Sequence, residues 1–175
     1  SLPPYEVLYS NWISYRDICR LKRVEEMVEL YYNSNQFTHI LPVLEQAFAA
    51  PFAMYESLAD YYAQKGYLKN SPSRVYRYEI LLEFACSMDG ERRGLYRELL
   101  TYDLYLRENM KSRPAFANEL ADYKGKIRDF YEGEHLYEIL PDYVQYQPRQ
   151  IARMTHMEVF HYPVWEADGK GEMVM

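Results

Sequence analysis

The stretch SYRDICRLKRVEEMVELYYN, residues 14–33, establishes the fold class. Ser14 followed by Asp17 predicts a helix start, because the hydroxyl accepts a hydrogen bond from a free backbone N–H and the acid complements the helix dipole. Apolar side chains then recur at steps of three and four residues, which is typical of one helix face: Ile18, Leu21, Val24, Met27, Val28 and Tyr31. The cluster Asn33-Ser34-Asn35 ends the pattern. This stretch therefore predicts the first helix of a mainly α domain.

Similar signals predict five more helices. They cover residues 37–49, 51–65, 74–88, 91–110 and 115–132. Pro42 is compatible with the second only in its first turn, so that helix is expected to start near Leu41. Pro51 suits the first turn of the third helix, Gly66 is placed to stop it, and Ser73 is placed to cap the fourth. The inner face predicted for the fifth helix consists of Leu95, Leu99, Tyr102, Leu106 and Met110.

The C-terminal segment has a different pattern. Residues 157–163 alternate between apolar and polar side chains, as in a half-exposed strand. A lone strand is unstable in water, so we expect it to pair with residues 172–175 after an Asp168-Gly169 turn, or with a partner outside the chain. The predicted fold is a bundle of about six helices with a small C-terminal β-hairpin or strand. Its divisions are a linker at 1–13, a helical bundle at 14–133 and an extended or β segment at 134–175 packed on the bundle.

Composition limits the classes of partner. The 175 residues carry a net charge of -6, which opposes attraction to nucleic acid and to anionic membranes, and no apolar run approaches the length of a membrane span. The two cysteines are far apart in sequence, which favours a reducing cytoplasmic compartment. Twenty tyrosines indicate either helix packing with polar-tipped rings or a stacking surface.

No residue pattern predicts catalysis, a cofactor site or a metal site. On a strand, His156 and His161 would face opposite sides, so these two histidines are not expected to share a metal site. The cysteines could join such a site only through folding. The remaining residues of this type are His39, His135, Cys19 and Cys86. The acidic pairs Glu25-Glu26 and Asp103-Glu108 are flanked by basic residues at helical spacing, which indicates solvated ion pairs rather than acid–base catalysts.

Two other features leave alternatives open. The basic runs at 91–93 and 111–113 face water in one interpretation and hold an anion near a helix start in the other. The adjacent pairs Tyr31-Tyr32 and Tyr61-Tyr62 point in different directions on a helix. At least one member of each pair is therefore expected near solvent or a partner, and an exposed tyrosine patch would mark an interface.

The chain as a whole resembles one known family. LPPYEVL at residues 2–8, Trp12 and RLKRVEEMVELYYNS at 20–34 are similar to the C-terminal region of cobalamin-binding-domain radical SAM proteins. YDLYLREN at 102–109, KSRP at 111–114 and HMEVF at 156–160 resemble the same region, which is a domain of unknown function in that family. The opening has the character of a linker and lacks a methionine, so we expect the chain to be a piece of a longer protein.

The resemblance implies a parent Fe–S oxidoreductase or methyltransferase-like enzyme with a 4Fe–4S cluster, S-adenosylmethionine and cobalamin. Those groups require other domains and a CxxxCxxC loop that this sequence lacks, so none of their ligands is assigned to a residue here. The first hypothesis is a non-catalytic accessory domain whose partner is the parent's radical SAM domain and whose role is substrate contact or assembly. The alternative is a stand-alone helical module that binds a protein partner through exposed tyrosines.

Overall fold

The computed structural model of the chain describes residues 13–163. Within that range the structure is mainly helical, as predicted, and contains no β-strand. The α-helices are α1 (Tyr15–Met27), α2 (Ile40–Glu45), α3 (Pro51–Lys65), α4 (Tyr76–Met88), α5 (Arg93–Arg107), α6 (Lys124–Glu132), α7 (Leu136–Ile139) and α8 (Pro148–Met154). None of the helices in the described range combines the length and the apolar content needed to cross a bilayer.

The first helix begins as its sequence predicts. The Ser14 hydroxyl accepts a hydrogen bond from the Asp17 N–H at 3.2 Å, and the Ser14 N–H lies 3.4 Å from the Asp17 carboxylate in return. The side-chain hydrogen bond from Ser14 is also the main reason that the pKa of Asp17 is lowered. Beyond Met27 the helix widens into a π-helix, Val28–Asn33. Segments of this kind are rare and are often found at functional sites.

Proline, glycine and serine residues set the boundaries of α2, α3 and α4. Pro51 occupies the first turn of α3, and Gly66 ends that helix in the left-handed conformation with φ 74°. The Ser73 hydroxyl accepts a hydrogen bond from the Tyr76 N–H at the start of α4. Pro42 lies in the first turn of α2, where its missing N–H leaves no helical hydrogen bond unmade. These four signals act locally, so the sequence alone was sufficient to place them.

The described helices fall into two compact units, and the division lies between Lys111 and Ser112. In the first unit α1 packs on α3, α4 packs on α5, and the short α2 contacts α3 and α5. Its core is rich in aromatic rings, including the fully buried Tyr31, Phe37, Tyr62, Tyr78 and Tyr96. The hydroxyls of Tyr31 and Tyr62 lie 2.5 Å apart, which pairs two polar groups that would otherwise be buried alone. The domain divisions inferred from the sequence stay a prediction.

The predicted inner face of α5 is partly wrong. Leu99 is buried, but Leu106 is 48% exposed, and Met110 lies beyond the end of the helix at Arg107. The buried stripe instead includes Tyr96, Leu99, Leu100, Asp103 and Leu104. The reason is tertiary, because α5 contacts both α4 and α2 and therefore turns a wider surface inward.

In the second unit, α6 packs on α7 and α8. The sixth predicted helix starts at Lys124 rather than at residue 115, after a 3-10 turn at Ala121–Tyr123. Before α6 the chain is not α-helical. There the Asn118 carbonyl accepts a hydrogen bond from the Arg113 guanidinium instead of from a backbone N–H of a helix. Apolar spacing over residues 115–120 therefore does not correspond to helix.

The predicted C-terminal hairpin is not seen in the described part of the chain. Helices α7 and α8 follow residue 133, and Pro148 together with a reciprocal Gln147–Gln150 cap starts α8. Residues 157–163 are neither helix nor strand. The Glu158 side chain pairs with Arg113 instead of facing solvent beside a ladder. The proposed partner strand, 172–175, and the Asp168-Gly169 turn lie outside the described residues.

Candidate functional site

The first unit contains a buried carboxylate that organises the start of α2. Asp103 is completely buried on α5. It accepts hydrogen bonds from the backbone N–H groups of His39 at 3.1 Å and Ile40 at 3.0 Å. Nδ1 of His39 lies 2.7 Å from the same carboxylate, and the Arg107 guanidinium donates to it at 3.0 Å. Four nitrogen atoms therefore converge on one acid.

This arrangement is a helix cap supplied from another helix. The first N–H groups of a helix have no partner within it, and α2 has no capping side chain of its own. Asp103 satisfies two of these groups, and its negative charge suits the positive end of the helix dipole. Arg107 compensates the buried charge. The expectation of a solvated ion pair at Asp103 is therefore wrong, because tertiary packing encloses this acid.

A second set of polar contacts holds the segment just before α2. Gln36 is fully buried; its amide donates to the Arg74 carbonyl at 3.1 Å and accepts from the Arg77 guanidinium at 3.2 Å. Arg74 in turn donates to Glu108 at 2.5 Å. Residues 36–40 are thus held by side chains from α4 and α5 and from the residues that flank them. Glu108 forms an ion pair, as the sequence indicated.

A cleft opens beside this held segment. Its volume is about 350 Å³, and it is lined by Tyr31, Tyr32, Asn33, Asn35, Phe37, Thr38, Leu41, Pro42 and Glu45. One part of the lining is the end of the π-helix, and another is α2. Between them Asn35 adopts a left-handed conformation with φ 56°, which asparagine tolerates better than most residues. The cleft therefore lies where the backbone departs from regular helix.

Polar groups in and near the cleft lack partners. The Glu45 carboxylate is half-buried and makes neither a hydrogen bond nor an ion pair with the described residues. Tyr55, on α3, is only 5% exposed, and its hydroxyl has no hydrogen-bond partner in the described range. Burial, the Glu45 carboxylate and the Tyr32 phenol raise the pKa of Tyr55. An unpaired buried hydroxyl costs about 1–3 kcal/mol.

The structure places the candidate metal ligands in separate environments. His39 contacts Asp103, His135 lies 2.8 Å from Glu138, and His156 lies 2.7 Å from Glu158. The hydroxyl of Tyr123 lies 2.9 Å from His161. Both cysteines are free thiols. Within residues 13–163, no three histidine, cysteine or acidic side chains are grouped as metal ligands would be.

Each adjacent tyrosine pair has a member at or near the surface, as expected. Tyr31 is fully buried while Tyr32 is 61% exposed. Tyr62 is buried while Tyr61 is half-exposed and donates to Glu83 at 3.1 Å. Of these four, Tyr32 is the ring most available to a partner, and it lines the cleft.

The basic runs make protein contacts. Arg92 donates to the Gln46 side chain at 3.3 Å, and Arg113 donates to Glu158 through two 2.7 Å bonds. Arg92 also forms an ion pair with Asp89 at 3.8 Å, so one arginine of each run is paired with an acid of this chain. An anion site near either helix start stays a sequence hypothesis.

Sequence analysis did not single out Gln36, Glu45 or Tyr55. The sequence did contain an indication that Asp103 is buried. Asp103 lies four residues after Leu99 and three after Leu100, so it falls on an apolar helix face. Glu45 and Tyr55 carried no such signal. They come together only because α2 packs against α3.

Comparison with known proteins identifies a family for nearly the whole chain. The model of a family described as "Protein of unknown function (DUF4080)" matches residues 1–174. No curated protein and no solved structure matches the chain.

Proposed function

The chain belongs to the family described as Protein of unknown function (DUF4080), and on this premise we propose that it is a non-catalytic accessory domain. Its parent would be a cobalamin-dependent radical SAM Fe–S oxidoreductase or methyltransferase-like enzyme, as the sequence resemblance implies. The domain would contact the substrate or the radical SAM domain. The 4Fe–4S cluster, S-adenosylmethionine and cobalamin belong to the parent's other domains in this proposal, and no residue of this chain is assigned to them.

One structural observation supports an accessory role. Two stretches that carry the resemblance, 20–34 and 102–109, meet around residues 35–40. The first supplies Tyr31, Tyr32 and Asn33 to the cleft. The second supplies Asp103 and Arg107, which hold the start of α2. The features that resemble the family thus come together in one part of the first unit, as expected if the cleft there meets something outside the domain.

The test begins with the reading frame upstream of Ser1. A CxxxCxxC loop together with a cobalamin-type domain is the expected result, and an unrelated domain there contradicts the proposal. In the full-length protein, removal of residues from Ser14 onward should leave cleavage of S-adenosylmethionine intact but reduce turnover of the enzyme's substrate. Equal loss of both activities would instead indicate that the segment serves only to fold the catalytic portion.

The exposed tyrosines favour a second candidate, a helical module that binds another protein. Tyr15 is 59% exposed, Tyr32 61% and Tyr76 39%, and such rings are enriched at interfaces. A start codon within a few codons of Leu2 would favour this function over the accessory role. An upstream cysteine triplet in the same frame would exclude it.

A further inference from the structure

The cleft beside the π-helix is acidic and has no basic side chain of its own. Among the nine described residues that line it, Glu45 is the one charged side chain. Glu29, in the same π-helix, bonds to Asn33 at 2.6 Å and adds a second negative charge close to the lining. The Glu45 carboxylate makes no hydrogen bond or ion pair within the described range. A carboxylate in this state favours a cationic ligand.

The aromatic ring in the lining indicates which type of cation the cleft would favour. Tyr32 presents a largely exposed ring in the lining, and Pro42 supplies exposed apolar surface. The lining also includes the buried side chains of Phe37 and Leu41. A flat, delocalised cation can lie on an aromatic face while its N–H groups point at a carboxylate. A compact ammonium ion offers no flat face to the ring. The chemistry of the lining therefore favours a guanidinium over an ammonium group.

A buried hydroxyl without a partner among the described residues lies behind the lining, on α3. The Tyr55 phenol has no hydrogen-bond partner in the described range and lies in the electrostatic neighbourhood of both Glu45 and Tyr32. Buried polar groups of native proteins are generally paired, so an orphaned hydroxyl here is unusual. Tyr55 does not line the cleft, so the Glu45 carboxylate remains the acceptor that a ligand in the cleft would meet.

We propose that this cleft binds a guanidinium group, with the Glu45 carboxylate as its ion-pair partner and the Tyr32 ring as its stacking surface. The proposal goes beyond the accessory role and does not depend on it, since it concerns the chemistry of one cleft in this chain. The volume of about 350 Å³ is that of a small ligand pocket and accommodates an arginine-sized group. The guanidinium group could belong to a free alkylguanidine or to the arginine side chain of a peptide.

The chain itself contains an example of this recognition next to the cleft. At Thr38, which also lines the cleft, the Arg107 guanidinium donates to the hydroxyl while its other nitrogen binds the Asp103 carboxylate. That guanidinium is already paired by Asp103. Arg107 therefore does not pair with the Glu45 carboxylate.

The test is a calorimetric titration of the 175-residue chain with N-acetyl-arginine methylamide. N-acetyl-citrulline methylamide serves as the neutral match in shape, and N-acetyl-lysine methylamide as the compact cation. The arginine compound is expected to bind at least about tenfold more tightly than the citrulline compound, since charge-assisted bonds are lost in the latter. No binding of the arginine compound, or equal binding of the citrulline or lysine compound, would overturn the proposal.

Variants locate the site. Glu45→Gln keeps the shape and removes the charge, so it should weaken binding about tenfold. Tyr32→Ala should weaken it about threefold. Glu79→Gln is the matched control, because Glu79 is also half-buried but does not line the cleft. Circular dichroism verifies that each variant is folded. If Glu45→Gln binds like the parent chain, or if Glu79→Gln weakens binding equally, the assignment to this cleft is wrong.

A second arm distinguishes the two sources of the group. The tripeptide Gly-Arg-Gly, amidated and acetylated, is compared with the single-residue compound. Tighter binding of the tripeptide that is lost in Glu45→Gln supports a peptide side chain as the natural ligand. Equal binding supports a free guanidine compound. Tripeptide binding that is insensitive to Glu45→Gln would contradict the proposed site.

Discussion

Nδ1 of His39 lies 2.7 Å from the carboxylate of Asp103, and the two side chains are 3% and 0% exposed. His39 is the residue immediately before α2, and Asp103 belongs to α5. The contact therefore joins two parts of the chain that are distant in sequence. At this point the first N–H groups of α2 need acceptors, and the buried carboxylate needs donors. The shape of the adjacent cleft depends on it, since Thr38 and Leu41 lie on either side of His39 and Ile40.

Asp103→Asn should lower the free energy of unfolding by about 3–5 kcal/mol, because Arg107 would lose its buried counter-charge and the start of α2 its anionic cap. Urea denaturation measures this. Asp60→Asn, at an exposed position of α3, is the control and should change stability by less than about 0.5 kcal/mol. Equal effects of the two substitutions would show that the buried network is not stabilising in net terms.

Tyr55→Phe should raise the free energy of unfolding by about 1 kcal/mol, since it removes a buried hydroxyl that has no partner in the described range. Tyr62→Phe is the matched comparison. Its hydroxyl is paired with that of Tyr31 at 2.5 Å, so its removal should lower stability by about 1 kcal/mol. The prediction fails if both variants shift the denaturation midpoint in the same direction.

The chain should lose stability in alkaline solution. Burial is the main cause that raises the pKa of Tyr62 and of Tyr78 to about 12. Both values lie above the unfolded value of about 10. A pKa raised on folding means that the folded state holds its proton more tightly, so this contribution to stability is fully present below about pH 10 and is lost as the pH rises toward 12.

Two measurements check this alkaline transition. The near-ultraviolet absorbance of tyrosinate should rise in two stages, with the buried tyrosines ionising together with the loss of helical circular dichroism. In urea, all the tyrosines should instead ionise in one step near about pH 10. If all the tyrosines of the folded chain also ionised in one step at about pH 10 while the helical circular dichroism was retained, the burial of these phenols would be contradicted.

In the second unit, Glu158→Gln should destabilise the protein by about 2 kcal/mol. The Glu158 side chain is 6% exposed and receives two 2.7 Å hydrogen bonds from Arg113, so the change breaks a nearly buried bidentate pair. Glu138→Gln is the control, because Glu138 also contacts a histidine but is 73% exposed. Faster amide exchange of residues 148–160 is expected in the first variant and not in the second.

Local chemistry made much of the first unit predictable. Ser14 and Asp17 cap α1, Pro51 occupies the first turn of α3 and Gly66 stops that helix, as expected. Each effect involves residues within one turn of each other, so no knowledge of the fold is needed. The prediction of a C-terminal strand was wrong because strand formation depends on a partner that is distant along the chain. Alternation over residues 157–163 can indicate a strand only if a neighbouring strand is available, and Arg113 holds Glu158 there instead.

Helical periodicity and backbone hydrogen bonding were enough to predict the fold class, several helix starts and stops, and a member of each adjacent tyrosine pair near the surface. Three other features depend on which helices pack together: Asp103 is a buried cap, Tyr55 is left unpaired within the described range, and Glu45 lines a cleft. Charge and hydroxyl groups acquire their roles from burial and from partners that are distant along the chain, and periodicity carries no information about either.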